Sequence, residues 1–333
     1  MSASLAGRRP VVQLHPTRRC NLACAHCYTS SGPGERDELR VEVLERAVAD
    51  AASLGYRQLA ISGGEPFLYR SLPRLLAAGR EAGLLTSVTT NGLVHMPEML
   101  ANVAANLDIL AISVDGLPAE HNLMRCNPTA FERMQRRLAA VRASGVPFAF
   151  LFTLTQYNVD QLEWLAAFAS QEGASLVQIH PLNRAGRAAS LLRGAEPDAV
   201  ELLAAVVEVE RLRARHPGLS FQLDVATRGQ LESFPGTFVA AADAALTELV
   251  PIVVIADTGE VVPISYDVDR SLRWGSILTE RLPSMAERWR ATSASRLADL
   301  TRRTYATLME SGEAAVHWYD TLATLSHASA LVS

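Results

Sequence analysis

The sequence predicts an α/β fold: a partial (β/α)6, TIM-like barrel followed by a smaller C-terminal α+β extension. Two observations carry that expectation. Short β-branched or apolar runs alternate with longer stretches of helical spacing, the pattern of βα units repeated around a parallel sheet or barrel. Each run is also followed at once by a polar cluster, as expected where a parallel barrel exposes its chemistry at the carboxyl ends of its strands.

In order, the runs cover residues 11–14, 58–61, 85–89, 109–112, 148–154 and 176–179. Amphipathic segments near 39–54, 71–82, 96–104, 129–144 and 159–172 separate them, several ending at a glycine placed to stop a helix: Gly55, Gly83, Gly145 and Gly173. The first run leads into a cysteine cluster and the second into Ser62, Gly63, Gly64, Glu65 and Pro66. Thr90, Asn91 and Gly92 follow the third; Ser113, Val114, Asp115 and Gly116 follow the fourth. Thr153 and Thr155 lie along the fifth with Asn158 beyond it, and His180 and Pro181 follow the sixth. Six polar clusters should therefore face one mouth.

Beyond about residue 195 the rhythm changes, which divides the chain into a barrel over 10–195 and an extension over 196–333. The extension reads as a helix (198–214), a strand (220–225), a hairpin and two or three helices over 284–327. The hairpin pairs 252–255 with 261–262 across Asp257, Thr258, Gly259 and Glu260, a turn sequence of the expected kind.

The chain has 333 residues, long enough for a full core, and 49% of them are hydrophobic against 20% charged, which excludes disorder and small disulfide scaffolds. Its 35 acidic and 31 basic residues are dispersed, with no dense basic stripe for counterion-release binding, so no nucleic-acid partner is expected. All the basic residues are arginine, and the lack of lysine excludes Schiff-base and lysine-nucleophile catalysis. No apolar run approaches the ~20 residues that span a bilayer, and residues 1–10 carry no apolar signal-peptide core. A cytoplasmic protein without a membrane partner is the expectation. Three of the four cysteines crowd into positions 20–27, which in a cytosolic chain argues for metal or redox chemistry over disulfides.

Cys20, Cys24 and Cys27 supply three soft thiolates within eight residues. A four-iron cluster held by three thiolates keeps one iron without a protein ligand, open to a small molecule. The alternative is a structural zinc site, which wants four protein ligands; His15 or His26 would be the fourth.

The Cys-x-x-x-Cys-x-x-Cys spacing, with His26 before Cys27 and Tyr28 after it, resembles the radical S-adenosylmethionine (radical SAM) enzymes. Gly63, Gly64, Glu65 and Pro66 resemble that family's second-strand motif, whose backbone approaches the amino group of the bound methionine moiety; a side chain there would block the approach. Thr90 and Asn91 match the third-strand motif, Ser113 and Asp115 match fourth-strand positions that usually reach the ribose, and 181–187, ending in Gly186 and Arg187, resembles the sixth-strand segment. The resemblance covers roughly residues 10–190. It implies one [4Fe-4S] cluster on the three cysteines, with SAM contacted by Tyr28, the glycine motif, Thr90, Asn91, Ser113, Asp115, Thr153 and Arg187. It further implies reductive cleavage of SAM and hydrogen abstraction by the resulting 5′-deoxyadenosyl radical, with an external electron donor such as flavodoxin or ferredoxin.

The tail, from Ile255 to Pro263 and then Trp274 to Ile277, resembles the SPASM or twitch extension of peptide-modifying members. Where that extension usually places a cysteine this chain has Ile264 or Ser265, and no cysteine follows Cys126. A degenerate tail without an auxiliary cluster is expected, which favours hydrogen return, as in epimerisation, while leaving a crosslink open. The favoured substrate is a ribosomally made peptide, and the alternative is a small natural-product intermediate such as a sugar or amino acid. Cys126 is a candidate hydrogen-atom donor, with a packed or bystander cysteine as the plainer reading. His121, His180 and Arg187 are read as structural hydrogen-bonders or cofactor contacts. The 19 residues before Cys20 are too few for a cobalamin or peptide-recognition domain, so leader-peptide binding would fall to the tail or to a separate protein.

Overall fold

The computed structural model describes residues 9–94 and 96–330; most of the N-terminal stretch read as lacking a signal core lies outside them. Strands β1 (Val11–Leu14), β2 (Gln58–Ile61), β3 (Leu85–Thr90), β4 (Ile109–Ser113), β5 (Phe148–Leu154) and β6 (Leu176–Pro181) pair side by side in chain order, all parallel. Helices α1 (Val41–Ser53), α2 (Leu72–Glu81), α3 (Met96–Val103), α4 (Pro118–Met124), α5 (Ala130–Ala143) and α6 (Leu162–Glu172) are interleaved among them. The expected βα rhythm is thus present, and Gly55, Gly83, Gly145 and Gly173 all carry positive φ just past their helices. The sequence reading missed α4, two turns with Pro118 in the first turn and too few apolar residues to show a period.

Along most of the barrel strands buried residues alternate with half-buried ones. Val12 and Leu14, Leu59 and Ile61, and Val177 and Ile179 are buried, while Gln13, Ser87, Thr153 and His180 occupy the other face and remain partly accessible. A fully covered parallel sheet reads as continuous apolar runs. Here the period of two persists because the second face lines an open lumen.

The remaining elements are α7 (Ala188–Leu191), α8 (Ala199–Arg215), β7 (Ser220–Leu223), β8 (Ala226–Thr227), α9 (Arg228–Ser233), α10 (Leu246–Leu249), β9 (Ile252–Ile255), β10 (Glu260–Pro263), β11 (Gly275–Ser276), α11 (Leu282–Ser311), β12 (Ala315–Val316) and α12 (Trp318–Ala330). They extend the barrel sheet at both edges. β7 runs parallel to β6, β9 runs parallel to β1, and β10 and β11 follow antiparallel, giving ten strands in the order β11-β10-β9-β1-β2-β3-β4-β5-β6-β7. The change of rhythm near residue 195 is therefore no break in the sheet. The expected hairpin forms, and the tail's last helices are two, α11 being 30 residues long. Tyr56 Oη donates to Val250 O at 3.0 Å, and the Asp50 carboxylate accepts from Arg281 Nε at 2.7 Å, tying the tail to the barrel. No helix among the described residues is long and apolar enough to cross a membrane.

Candidate active site

Every barrel strand ends at the same mouth, and the loop between β1 and α1 crosses it carrying Cys20, Cys24 and Cys27. Two glycine motifs hold that loop. Gly64 N donates to Thr17 O and Glu65 N to Arg19 O, both at 2.9 Å. A Cβ on Gly64 would lie 2.3 Å from Arg19 O. Both glycines of the second-strand motif therefore have a packing reason beside the expected ligand approach: on Gly63, at φ 97°, a Cβ would fall 2.8 Å from His15 Cβ. On the other side of the loop, a Cβ on Gly186 would sit 2.4 Å from Tyr28 O. Arg187 N donates to Cys27 O (2.9 Å), its Nε to Cys24 O (2.8 Å) and its Nη2 to Ser31 O (2.7 Å). The structure thus places the Arg187 guanidinium, expected at the cofactor, on carbonyls of the cysteine loop.

All three thiols are free, and each has a polar neighbour. Asn91 Nδ2 lies 3.8 Å from Cys20 Sγ, Arg125 Nη1 lies 3.8 Å from Cys24 Sγ, and Thr29 Oγ1 lies 3.4 Å from Cys27 Sγ. Such outer partners suit sulfur that becomes anionic on ligating a metal. In the metal-free chain, burial, reinforced by the Glu65 carboxylate, pushes the Cys20 thiol up to about 12. Burial raises Cys24 as well, although Arg125 opposes it. Among the described residues no three His, Cys, Asp or Glu side chains converge on a single ion position. His15 Nε2 is engaged by Gln13 and by the Tyr28 hydroxyl, each at 3.1 Å.

Glu65 is buried and braces two strand ends. Its carboxylate accepts from Thr90 Oγ1 (2.8 Å), Asn91 N (2.9 Å) and Phe67 N (3.2 Å), the last at the turn that Pro66 opens. Burial outweighs these hydrogen bonds and pushes its pKa up to about 7. Asn91 Nδ2 also donates to Asn21 Oδ1 at 2.8 Å, linking β3 to the cysteine loop.

At the end of β4, Ser113 and Asp115 are both buried. Arg125 Nε donates to Asp115 Oδ2 at 2.6 Å, while His26 and His121 each approach that oxygen at 3.9 Å. Burial alone would raise Asp115; the Arg125 guanidinium overrides it and holds the carboxyl well below the usual range. Burial pushes His26 and His121 down to about 4. Asp115 Oδ1 is buried without a hydrogen-bond partner, an acceptor that a donor on a bound ligand would satisfy.

Sequence reasoning missed Arg125, whose neighbour Cys126 drew attention instead. Cys126 is exposed, at φ 50° in the turn that ends α4. The structure does not bring it together with the other site residues; Arg125 is the residue that turns inward. Gln13, also missed, had a signal in being the one polar residue of β1. Its Nε2 lies 3.2 Å from the Tyr28 hydroxyl and 3.1 Å from Ser62 Oγ, forming a polar floor below the loop. Tyr266 from the tail packs against His15 and Tyr28 at ring-centroid distances of 5.3 and 5.6 Å. Thr153 stands beside His180 in register, on the half-buried face of β5.

Residues 14–169, which include the cysteine loop, the glycine motif and β4, match the Radical SAM superfamily. The match covers just under half of the chain. The radical SAM domain is similar to "Fe-coproporphyrin III synthase" of Methanosarcina barkeri, 30% identical over 56% of this chain and 47% of the relative. It is also similar to "PqqA peptide cyclase" of Ruegeria pomeroyi, 34% identical over 59% and 54% of the two chains. The chain thus spans about half the length of these relatives. In fold it resembles Streptococcus suis SuiB bound to S-adenosylmethionine, with a TM-score of 0.66 at 15% identity over 90% of this chain and 68% of SuiB. It likewise resembles anSMEcpe with bound AdoMet and Cp18Cys peptide, with a TM-score of 0.64 at 17% identity over 88% and 83%. The likeness in fold therefore extends beyond the matched residues into the tail.

Proposed function

We propose that this chain is a radical SAM enzyme that modifies a peptide at a C–H bond. Cys20, Cys24 and Cys27 would hold one [4Fe-4S] cluster, leaving one iron to SAM. When bound, cluster and SAM supply the electron and the 5′-deoxyadenosyl radical that takes a hydrogen atom from the substrate. The chain's residues do the positioning. Gly63 and Gly64 offer a backbone edge beside the loop, Asn91, Ser113, Asp115 and Thr153 line the mouth, and Tyr28 anchors the floor. Glu65, Thr90 and Arg187 act one layer out, bracing strand ends and loop. The observation that carries this reading is a loop with three cysteines, clamped by glycines on both sides, with a polar neighbour at every sulfur.

A peptide substrate is supported by the likeness to "PqqA peptide cyclase" and by a fold shared with SuiB bound to precursor peptide SuiA, with a TM-score of 0.62. Epimerisation or crosslinking is the outcome we favour, with an external electron donor and, for a leader peptide, a separate binding protein. A small-molecule substrate is the second reading, favoured by relatives named "AdoMet-dependent heme synthase" and "Pre-heme d1 synthase".

Anaerobic reconstitution should yield iron and acid-labile sulfide in equal amounts, and deoxyadenosine when reductant and SAM are added. Zinc without sulfide, or no deoxyadenosine, overturns the reading. Turnover of candidate peptides in deuterated water then separates outcomes: deuterium at one α-carbon marks epimerisation, and loss of two hydrogens marks a crosslink.

A further inference from the structure

Arg125 follows α4, and its buried side chain reaches both the end of β4 and the cysteine loop. Hydrogen bonds around it fix its place. Arg125 N donates to His121 O, and Ala25 N, beside Cys24, donates to Met124 O, both at 2.9 Å. Asp115 N donates to His121 Nδ1 at 3.2 Å, which pins α4 to the end of β4. The guanidinium thus spans a carboxylate and a thiol: its Nε donates to Asp115 Oδ2 at 2.6 Å, and its Nη1 faces Cys24 Sγ at 3.8 Å.

Of the three polar neighbours of the sulfurs, Asn91 at Cys20 and Thr29 at Cys27 are neutral, whereas Arg125 at Cys24 carries a charge. At Cys24 the attraction of that guanidinium outweighs the repulsion of the Asp115 carboxylate. Two further charged groups act within this pocket. Glu65 braces the ends of β2 and β3, and Arg187 is taken up by carbonyls of the cysteine loop. Buried charges of this kind are little screened by salt.

We infer that Arg125 is a positioning residue that sets the reduction potential of a cluster on Cys20, Cys24 and Cys27: its guanidinium, held against Cys24 Sγ by Asp115, favours the form reduced by one electron. The inference rests on the proposed function, because that reading puts the cluster on these thiols. The electron comes from the external donor, and no bond forms or breaks in the step. It adds negative charge to iron and its sulfur ligands, so a fixed cation beside one sulfur stabilises the reduced form more than the oxidised one. Hydrogen bonds to sulfur, burial and net charge are the levers that set such potentials.

The test is a dithionite redox titration at one pH, followed by electron paramagnetic resonance, of the reconstituted protein without SAM. Arg125→Gln should shift the reduction equilibrium about tenfold toward the oxidised form, lowering the midpoint by about 59 mV for one electron. Arg125→Lys keeps the charge and should recover most of that shift. Asp115→Asn removes the opposing carboxylate and should raise the midpoint, whereas mere loosening of the site would move both variants the same way. An unchanged midpoint in Arg125→Gln, or shifts of one sign in Arg125→Gln and Asp115→Asn, overturns the inference. Where Arg125→Gln holds no iron, Asp115→Asn decides alone: a raised midpoint supports the inference and any other result overturns it. Failure of both variants to hold a cluster assigns the pair to assembly of the loop and also overturns it. Iron, sulfide and deoxyadenosine of the wild-type protein are scored separately, so the inference can fail while the proposed function stands.

Discussion

The two walls of the mouth are built differently. On the β1 to β4 side, Glu65, Thr90, Asn91 and Asp115 are buried in two hydrogen-bonded groups, one leading from Thr90 and Glu65 through Asn91 to the Cys20 sulfur and the other from Asp115 through Arg125 to the Cys24 sulfur. On the β5 to β7 side, Thr153, Gln178 and His180 are half-buried, and the charges of the adjoining loops are paired at the rim. Cofactor chemistry needs fixed geometry, and unsatisfied buried polar groups are costly, so the first wall tolerates little variation. The second wall needs only to fit its substrate. Rigidity and openness are thus divided between the halves of one sheet.

The sharpest way to break the comparison is Gly64→Ala. A methyl group 2.3 Å from Arg19 O cannot be relieved by a side-chain rotation, because the obstacle is backbone. The cysteine loop must lift away from β2, at an overpacking cost of about 1–3 kcal/mol or more. The variant should lose most of its bound iron after reconstitution while keeping a wild-type circular dichroism spectrum. Full iron retention would show that the loop is not clamped there.

Glu65 sets up the next effect. Its pKa in the folded chain is about 7 against an ordinary value of 4.5. Below 4.5 both folded and unfolded states keep the proton. As pH rises from 4.5 to 7 the unfolded chain ionises first, so this group destabilises the fold increasingly, by about 3 kcal/mol in full. Glu65→Gln removes the titration. Denaturant unfolding of the metal-free protein should therefore show the variant gaining on wild type by about that amount across this range. A difference that stays flat with pH would mean the carboxylate is not desolvated.

Legibility in the sequence follows the same division. The rigid wall was readable because its chemistry forces residue types at fixed spacing: three cysteines, a paired glycine beside a loop, a polar pair at a strand end. The βα rhythm was readable because each strand buries one face against helices. Arg125 and Tyr266 were not readable, since each reaches the site through a tertiary contact that no local period encodes. The tail's strands were visible, but nothing local says that β9 adds to β1 and β7 to β6. Pairing between strands more than 200 residues apart is decided by which edge the first six leave free.

The smallest effects give the finest comparison, between two polar residues of parallel strands. Thr90 is 1% exposed and donates to Glu65 at 2.8 Å. Thr90→Ala leaves a buried carboxylate oxygen short of a donor, at a cost of about 1–3 kcal/mol. Gln178 sits on β6, half-buried on the lumen face, and its side chain makes no hydrogen bond among the described residues. Gln178→Ala should stay within about 0.5 kcal/mol of wild type, as substitutions away from packed features do. Chemical unfolding of both variants at one pH measures the contrast. If Gln178→Ala costs as much as Thr90→Ala, that position of β6 is packed as tightly as the buried end of β3, and the division between a rigid cofactor wall and an open substrate wall does not hold.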